Sequence, residues 1–423
     1  MDIDLDRARA LRVLGRGAMG TVFLVEARYG GFRYALKVFD KRSGAAYKHD
    51  ADRRARWELS VLSRLAHPHL PCLLGSAETP DLLAWAVPYC PGGDLNELRY
   101  TLPDRVFSPA AIRFYVAETV SALAELHASG VVYRDLKPEN VLLRGDGHVT
   151  LTDFDLCRLL PPKTAPSSAS PQRMFQGGHR PRVSARSEIP LFSHANKPDP
   201  LPPAIPSARQ QLQNLVRFIM RTDRSELSKK VKSARVSPVS RKPASFASSG
   251  AAGAWGKSYS FVGTEEYVAP EMVRGEGHGF AVDWWAVGVL VYEMAYGRTP
   301  FKGKNRKETF RNVLLKDVEF AGDSRRRLPE LTDLISRLLE RDPKKRLGYQ
   351  GGADEVRAHP FFAGVAWDML EVVSRPPYIP PPADDDELVG DGKEFSIREY
   401  FDKLHQPPPP ETESSSSEFS PEF

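Results

Sequence analysis

An α+β fold in two lobes, strand-rich first and helical after, follows from three features of this 423-residue chain. Residues 11–39 alternate in strand fashion between glycines. From residue 51 onward, apolar side chains recur at helical spacing. Pro88-Tyr89-Cys90-Pro91-Gly92-Gly93 supports neither a strand nor a helix and reads as the joint between the strand-rich start and the mostly helical remainder.

The elements follow in order. Val13-Leu14-Gly15, residues 21–25 and residues 34–39 predict three antiparallel strands. A helix over 51–65 places Trp57, Val61, Leu62 and Leu65 on one side. A longer one over 109–126 carries Ile112, Tyr115, Val116, Thr119, Val120 and Leu123, and residues 280–296 and 331–339 are again helical. This gives a small lobe over 11–88, a large lobe over 92–362 and a tail over 363–423. Length alone allows two or three domains, or one two-lobed unit with extras.

Composition narrows the class. Hydrophobic residues make up 41% of the chain, enough for a substantial core. Cys72, Cys90 and Cys157 lie far apart, which fits a reducing compartment and argues against a disulfide framework or a zinc site. Residues 1–12 are charged and lack the apolar run of a secretory signal. The apolar stretch 284–296 contains Glu293 and is too short to span a bilayer, so a soluble chain without an integral membrane segment is expected. The net charge of +5 is unevenly spread: residues 161–260 hold 17 Lys and Arg against 4 Asp and Glu, leaving the rest acidic. Most of that basic character falls in the segment 161–256, which is rich in Pro and Ser and mostly lacks a stripe that could bury a core; disorder is expected there.

Two constellations carry chemistry. Gly15-x-Gly17-x-x-Gly20-x-Val22 lets backbone N–H groups approach phosphate oxygens. The same glycine spacing also occurs in dinucleotide-binding turns and in plain hairpins. A strand follows here where a dinucleotide-binding turn needs a helix, which disfavours an oxidoreductase. Lys37 sits between apolar strand residues and needs a partner; Glu58 on the following helix is suitably placed, and the pair would aim Lys37 at phosphates. The second constellation is Tyr133-Arg134-Asp135-Leu136-Lys137-Pro138-Glu139-Asn140 with Asp153-Phe154-Asp155 downstream. Asp135 could accept a hydroxyl proton, Lys137 could neutralise a transferring phosphate, and Asn140 and Asp153 offer hard oxygen ligands for Mg²⁺. A charged turn between strands accounts for any one of these residues alone, but not for the whole set.

That set, in that order and spacing, resembles the catalytic and metal-binding loops of protein kinases. Gly263-Thr264-Glu265-Glu266-Tyr267-Val268-Ala269-Pro270-Glu271 is similar to their substrate-facing loop. The run Asp283-Trp284-Trp285-Ala286-Val287-Gly288 is similar to their central helix, and Arg346 to the residue that pairs with Glu271. Lys137 and Thr264 resemble the Ser/Thr-specific kinases. Tyr133 in place of His, together with the Gly-Thr-x-Glu-Tyr loop, resembles the AGC group. Asp153-Phe154-Asp155 with a long insert resembles the plant AGC VIII branch. Residues 280–285, 232–238 and 395–401 look most like its UNICORN-type kinases.

The resemblance implies a two-lobe protein kinase fold and transfer of the γ-phosphate of ATP, with Mg²⁺, to Ser/Thr of protein substrates in plant growth and development signalling. It places Leu14, Gly15, Gly17, Gly20, Val22, Ala35, Lys37, Glu58, Val87, Tyr89 and Asp94 at ATP. Thr264 would contact the substrate, and Asp94, Glu139 and Glu293 would accept its basic residues. Ser260 matches an activation-loop phosphosite, to be modified by an upstream kinase and paired with Arg134. The alternative is a nucleotide-binding pseudokinase scaffold, because Asp155 stands where most kinases have glycine.

In the insert, residues 211–220 place Leu212, Leu215, Val216 and Ile219 on one helical face, and Lys229, Lys230 and Lys232 follow. Such a stretch suits an anionic phospholipid surface or nuclear import, and a solvated linker equally. The expected location is therefore cytoplasm and nucleus, with the plasma membrane periphery as a further site. A monomer without a nucleic-acid partner is expected. The branch often ends in a docking Phe-x-x-Phe; Phe419-Ser420-Pro421-Glu422-Phe423 is one residue longer.

Overall fold

A computed structural model describes residues 3–17, 20–27, 30–42, 48–160, 258, 260, 262–320, 328–373, 375–381 and 394–405. The stretch 211–220, the lysines after it and Phe419–Phe423 lie outside the described residues.

Strands β1 (Arg9–Gly17), β2 (Gly20–Glu26), β3 (Arg33–Asp40), β4 (Gly75–Glu78) and β5 (Leu82–Pro88) form the antiparallel sheet of the small lobe. Alternation of side chains gives this sheet two functions. Phe23, Val25, Leu36 and Val38 enter one buried cluster. Their neighbours Val22, Ala35 and Lys37 line a cavity on the other face. Cross-strand pairing of Val22 with Lys37, and of Ala35 with Val87, brings those cavity positions together. Helix α1 (Lys48–Leu62) buries Ala55, Glu58, Val61 and Leu62. It starts and stops three residues earlier than its apolar period suggests, so Leu65 falls beyond its end.

The large lobe begins at α2 (Leu95–Thr101), opened by a capping box in which Asp94 accepts from Glu97 N and the Glu97 carboxylate accepts from Asp94 N. Helix α3 (Pro109–Ala128) starts at Ser108, whose hydroxyl accepts from Ala111 N, with proline at its first position. Two short antiparallel pairs follow. Strand β6 (Val131–Val132) pairs with β9 (Arg158–Leu159), and β7 (Val141–Leu143) with β8 (Val149–Leu151). The loop between β6 and β7 holds residues 133–140, and the loop between β8 and β9 holds residues 152–157. The ladders bring the two motifs of the sequence side by side.

Helices α4 (Pro270–Arg274), α5 (Ala281–Tyr296), α6 (Arg306–Leu315), α7 (Pro329–Leu338) and α8 (Gly352–Arg357) complete the lobe. Every residue of α5 from Ala281 to Ala295 is buried, as expected of a helix that is apolar all round. Gly288 lets α7 approach it: a Cβ there would stand 2.8 Å from that of Leu338. Glu271 and the fully buried Arg346 form a two-pronged pair at 2.7 and 2.9 Å.

The tail contributes structure that its proline content hides. Strand β10 (Phe395–Ser396) adds to the outer edge of β1, and helix α9 (Ile397–His405) buries Ile397 and Phe401 against the small-lobe sheet. The small lobe also starts earlier than residue 11, with Ile3 and Leu5 in the same cluster. Among the described residues no helix is long and apolar enough to cross a membrane.

Candidate active site

The cavity under the small-lobe sheet measures about 580 Å³, within the range of small-ligand sites. Leu14, Gly15, Gly17, Gly20, Val22 and Ala35 line it from the sheet, with Val87, Tyr89 and Asp94 at the joint. Lys37 and Glu58 close one side, and Glu139, Asn140 and Asp153 border it from the large lobe. All eleven residues assigned to ATP from the sequence share this one space.

Lys37 Nζ lies 2.6 Å from Glu58 Oε2 and 3.3 Å from Asp153 Oδ1. Burial works against the Lys37 charge, but Glu58, Asp153 and Asp155 outweigh it and hold the ammonium above the ordinary lysine value. The same burial pushes the Glu58 carboxyl up, against the pull of Lys37. The pair ties α1 to β3 and sets a fixed cation beside Asp153.

The β6–β7 loop is organised by buried Asp283 of α5. Its carboxylate accepts from the backbone N–H of Tyr133 at 2.9 Å and of Arg134 at 2.7 Å. Arg134 adopts φ +70° and Asp153 φ +61°, left-handed conformations that cost a non-glycine residue energy and gather at functional loops. Asp135 is thereby presented with both oxygens engaged. Oδ2 accepts from Lys137 Nζ at 3.1 Å and from Asn140 Nδ2 at 3.0 Å, and Oδ1 accepts from Thr264 Oγ1 at 3.1 Å. Lys137 also reaches Thr264 Oγ1 at 3.1 Å. Thr264 can come this close because Gly263 (φ +103°) passes against the Arg134 carbonyl, where a Cβ would stand 2.9 Å away.

The donor set suits a hard cation. The Asn140 amide nitrogen is committed to Asp135, which leaves the amide oxygen to face a cation beside the Asp153 carboxylate. Among the described residues no group of three His, Cys, Asp or Glu could hold a metal unaided. One amide oxygen and one carboxylate match Mg²⁺ that arrives with phosphate ligands of its own.

Ser260 lies apart from the cavity. Arg134 donates to Ser260 Oγ at 2.6 Å, to Ser258 Oγ at 3.0 Å and to the Leu156 carbonyl at 2.8 Å. All three are neutral acceptors, and burial pulls the Arg134 guanidinium down to about 10. Glu293 sits in a different setting from the one its motif suggests. It is buried, accepts from the Tyr267 hydroxyl at 2.5 Å and pairs with Arg99 at 3.1 Å. A substrate cation reaching Glu293 has to compete with Arg99. Sequence reasoning missed Arg99 and Arg54, and it read Trp57 as a core residue of α1 without its hydrogen bond to the Cys157 carbonyl. Arg54 stands one helical turn before Glu58, the spacing that could have flagged it.

A strand-rich lobe over a helical one, with a paired lysine, a carboxylate loop and an Asn–Asp pair suited to Mg²⁺ at the joint, is the arrangement of a phosphotransferase of the kinase type. The protein kinase domain family model matches residues 8–176 and 244–362. Curated relatives agree: serine/threonine-protein kinase UCN of Arabidopsis thaliana is 47% identical over 97% of this chain and 93% of its own length. Serine/threonine-protein kinase UCNL of the same plant is 48% identical over 96% and 90%, and OXI1 is 41% identical over 90% and 81%. The chain belongs to the protein kinase family, as a serine/threonine kinase of the plant AGC group.

Proposed function

We propose that this kinase transfers the γ-phosphate of ATP to Ser and Thr hydroxyls flanked by basic residues, with Asp135 as proton acceptor. The observation that carries the reading is the joint network of Asp135, Lys137, Asn140 and Thr264, set beside Lys37, Glu58 and Asp153. Adenine suits the apolar surfaces of Leu14, Val22 and Ala35, with Val87 and Tyr89 at its edge and Asp94 toward the ribose. Gly15, Gly17 and Gly20 leave room for phosphates against backbone N–H groups. Lys37, fixed by Glu58, orients the α- and β-phosphates.

Asp135 Oδ1 hydrogen-bonds the substrate hydroxyl in place of, or together with, Thr264 and takes its proton as the hydroxyl attacks phosphorus. Lys137, already within reach of Asp135, stabilises charge developing on the transferred group. Asn140 and Asp153 would hold Mg²⁺, which supplies charge neutralisation on the phosphate oxygens. Burial raises the Asp94 and Glu139 carboxyls by disfavouring their charge, so an arriving guanidinium would offset part of that cost. That supports a preference for Arg and Lys near the target hydroxyl. Phosphate on Ser260 would set an anion against the Arg134 guanidinium, whose side-chain hydrogen bonds among the described residues go to neutral oxygens. A role in plant growth signalling, with cytoplasmic and nuclear location and membrane contact through the basic insert, belongs to the same reading.

Purified protein with Mg-ATP and matched basic and acidic peptides tests it. Asp135→Asn and Lys37→Met should each lower turnover roughly 100-fold or more. Wild-type protein that binds nucleotide without transferring phosphate would select the scaffold reading instead, and equal rates on both peptides would remove the basic preference.

A further inference from the structure

Most kinases carry glycine where this chain has Asp155, and the freedom of glycine lets the metal-binding loop rearrange. Asp155 is buried, its side chain 3% exposed, and it forms an ion pair with Arg54 of α1. Its backbone needs no glycine in this arrangement: among the described residues the non-glycine positions with positive φ are Asp104, Arg105, Arg134 and Asp153. One turn further along α1, Trp57 Nε1 donates to the Cys157 carbonyl at 2.8 Å. Glu58, four residues after Arg54, meets Lys37 at 2.6 Å. From the opposite side Arg134 holds the Leu156 carbonyl. The segment 153–157 is therefore gripped from both lobes, and the side chain of Asp155 is its charged link to α1.

We propose that Asp155 is a positioning residue: through Arg54 it locks α1 in the setting where Glu58 holds Lys37, and so promotes phosphate transfer. Two effects act together. A non-glycine residue narrows the alternative conformations open to the loop, and a buried ion pair opposes withdrawal of α1, because separation would leave Asp155 buried without that cation. The substitution that invites a pseudokinase reading thus favours the arrangement needed for turnover. The proposal rests on the phosphotransferase reading for its kinetic part only.

The test compares wild type with Arg54→Met, Asp155→Asn, Asp155→Gly, the double variant Arg54→Met/Asp155→Asn, and Arg54→Lys. Thermal midpoints establish that each folds, and the near-isosteric Asp155→Asn keeps the test open if glycine unfolds the loop. Two quantities are read: kcat and KM for ATP, and amide hydrogen exchange over residues 48–62 in nucleotide-free protein. Arg54→Met, Asp155→Asn and Asp155→Gly should each lower kcat/KM roughly 10- to 100-fold. The double variant should be no worse than either single one, and Arg54→Lys should retain most activity. Exchange over 48–62 should quicken in the same variants. Unchanged turnover, unchanged exchange, or losses that multiply in the double variant would each overturn the proposal. A wild-type protein without turnover would sink the kinase reading alone, and exchange would then decide the lock by itself.

Discussion

Arg134 shows how much one residue carries. Its backbone N–H is fixed by Asp283, its guanidinium reaches Leu156, Ser258 and Ser260, and it stands beside Asp135. A buried guanidinium whose bonds go to neutral oxygens is incompletely compensated, as its lowered pKa reflects. Phosphorylation of Ser260 would supply about 1.5 to 2 negative charges within hydrogen-bond reach. Ser260→Ala is therefore expected to lower kcat/KM roughly 10-fold in phosphorylated preparations and to change little in dephosphorylated ones; peptide phosphorylation rates before and after phosphatase treatment check this. Glu293 teaches the converse. The family resemblance suggests an acceptor for substrate cations, and only the contacts with Arg99 and Tyr267 reveal that its charge already has an internal partner.

Elements show a similar division. The alternation of β2 and β3 follows from their residues, and so does the burial of α5, whose apolar run admits no solvent face. The last described helix is different. Residues 397–405 are short and charged, and their apolar positions acquire meaning only against Phe23. Phe401 meets it at 5.8 Å between ring centroids and Tyr400 at 5.1 Å, both edge to face. Arg16, between two glycines of the β1–β2 turn, lies over the Tyr400 ring at 5.3 Å. The tail is thus part of the small lobe and touches the turn that covers the cavity. Phe401→Ala should destabilise the protein by about 3 to 5 kcal/mol, visible as a lower Tm and a lower denaturant midpoint. An unaltered Tm would mean that the tail is held elsewhere.

For the molecule as a whole, pH offers a test of the packed state. His278 is buried next to the segment that carries Ser258, and burial pulls its pKa down to about 4; His67 is lowered to about 4 as well, also chiefly by burial. Unfolding releases both to the ordinary value near 6.5. Between roughly pH 6.5 and 4 the unfolded chain then binds more protons than the folded one, so stability falls as pH falls through that window. The loss from His278 alone should approach about 3 kcal/mol at its lower end. Tm measured from pH 7.5 to 4.5 should decline, and less steeply in His278→Asn; parallel curves for the two proteins would contradict the assignment.

Much of the fold and site was legible in the residues because their order carries it. Strand period, helix period and the clustered 133–140 and 153–155 motifs are local, and the chemistry of Asp, Lys, Asn and Gly is intrinsic to each side chain. Lys37 and Glu58 could be paired in advance because a charge between apolar strand residues demands a partner. Contacts between segments far apart in the chain had no such local sign. The grip of Arg54 on Asp155, the hold of Asp283 on the β6–β7 loop and the seat of Phe401 on Phe23 join residues separated by 101, 149 and more than 370 positions. No period or motif encodes such distances, since each partner looks like an ordinary charged or apolar residue in its own neighbourhood. By itself the sequence determined the two-lobe fold class and the family, and it marked the residues to which phosphotransfer is assigned. Only the tertiary structure decided which charges are already satisfied, because burial and partner distance come into being when the chain closes on itself.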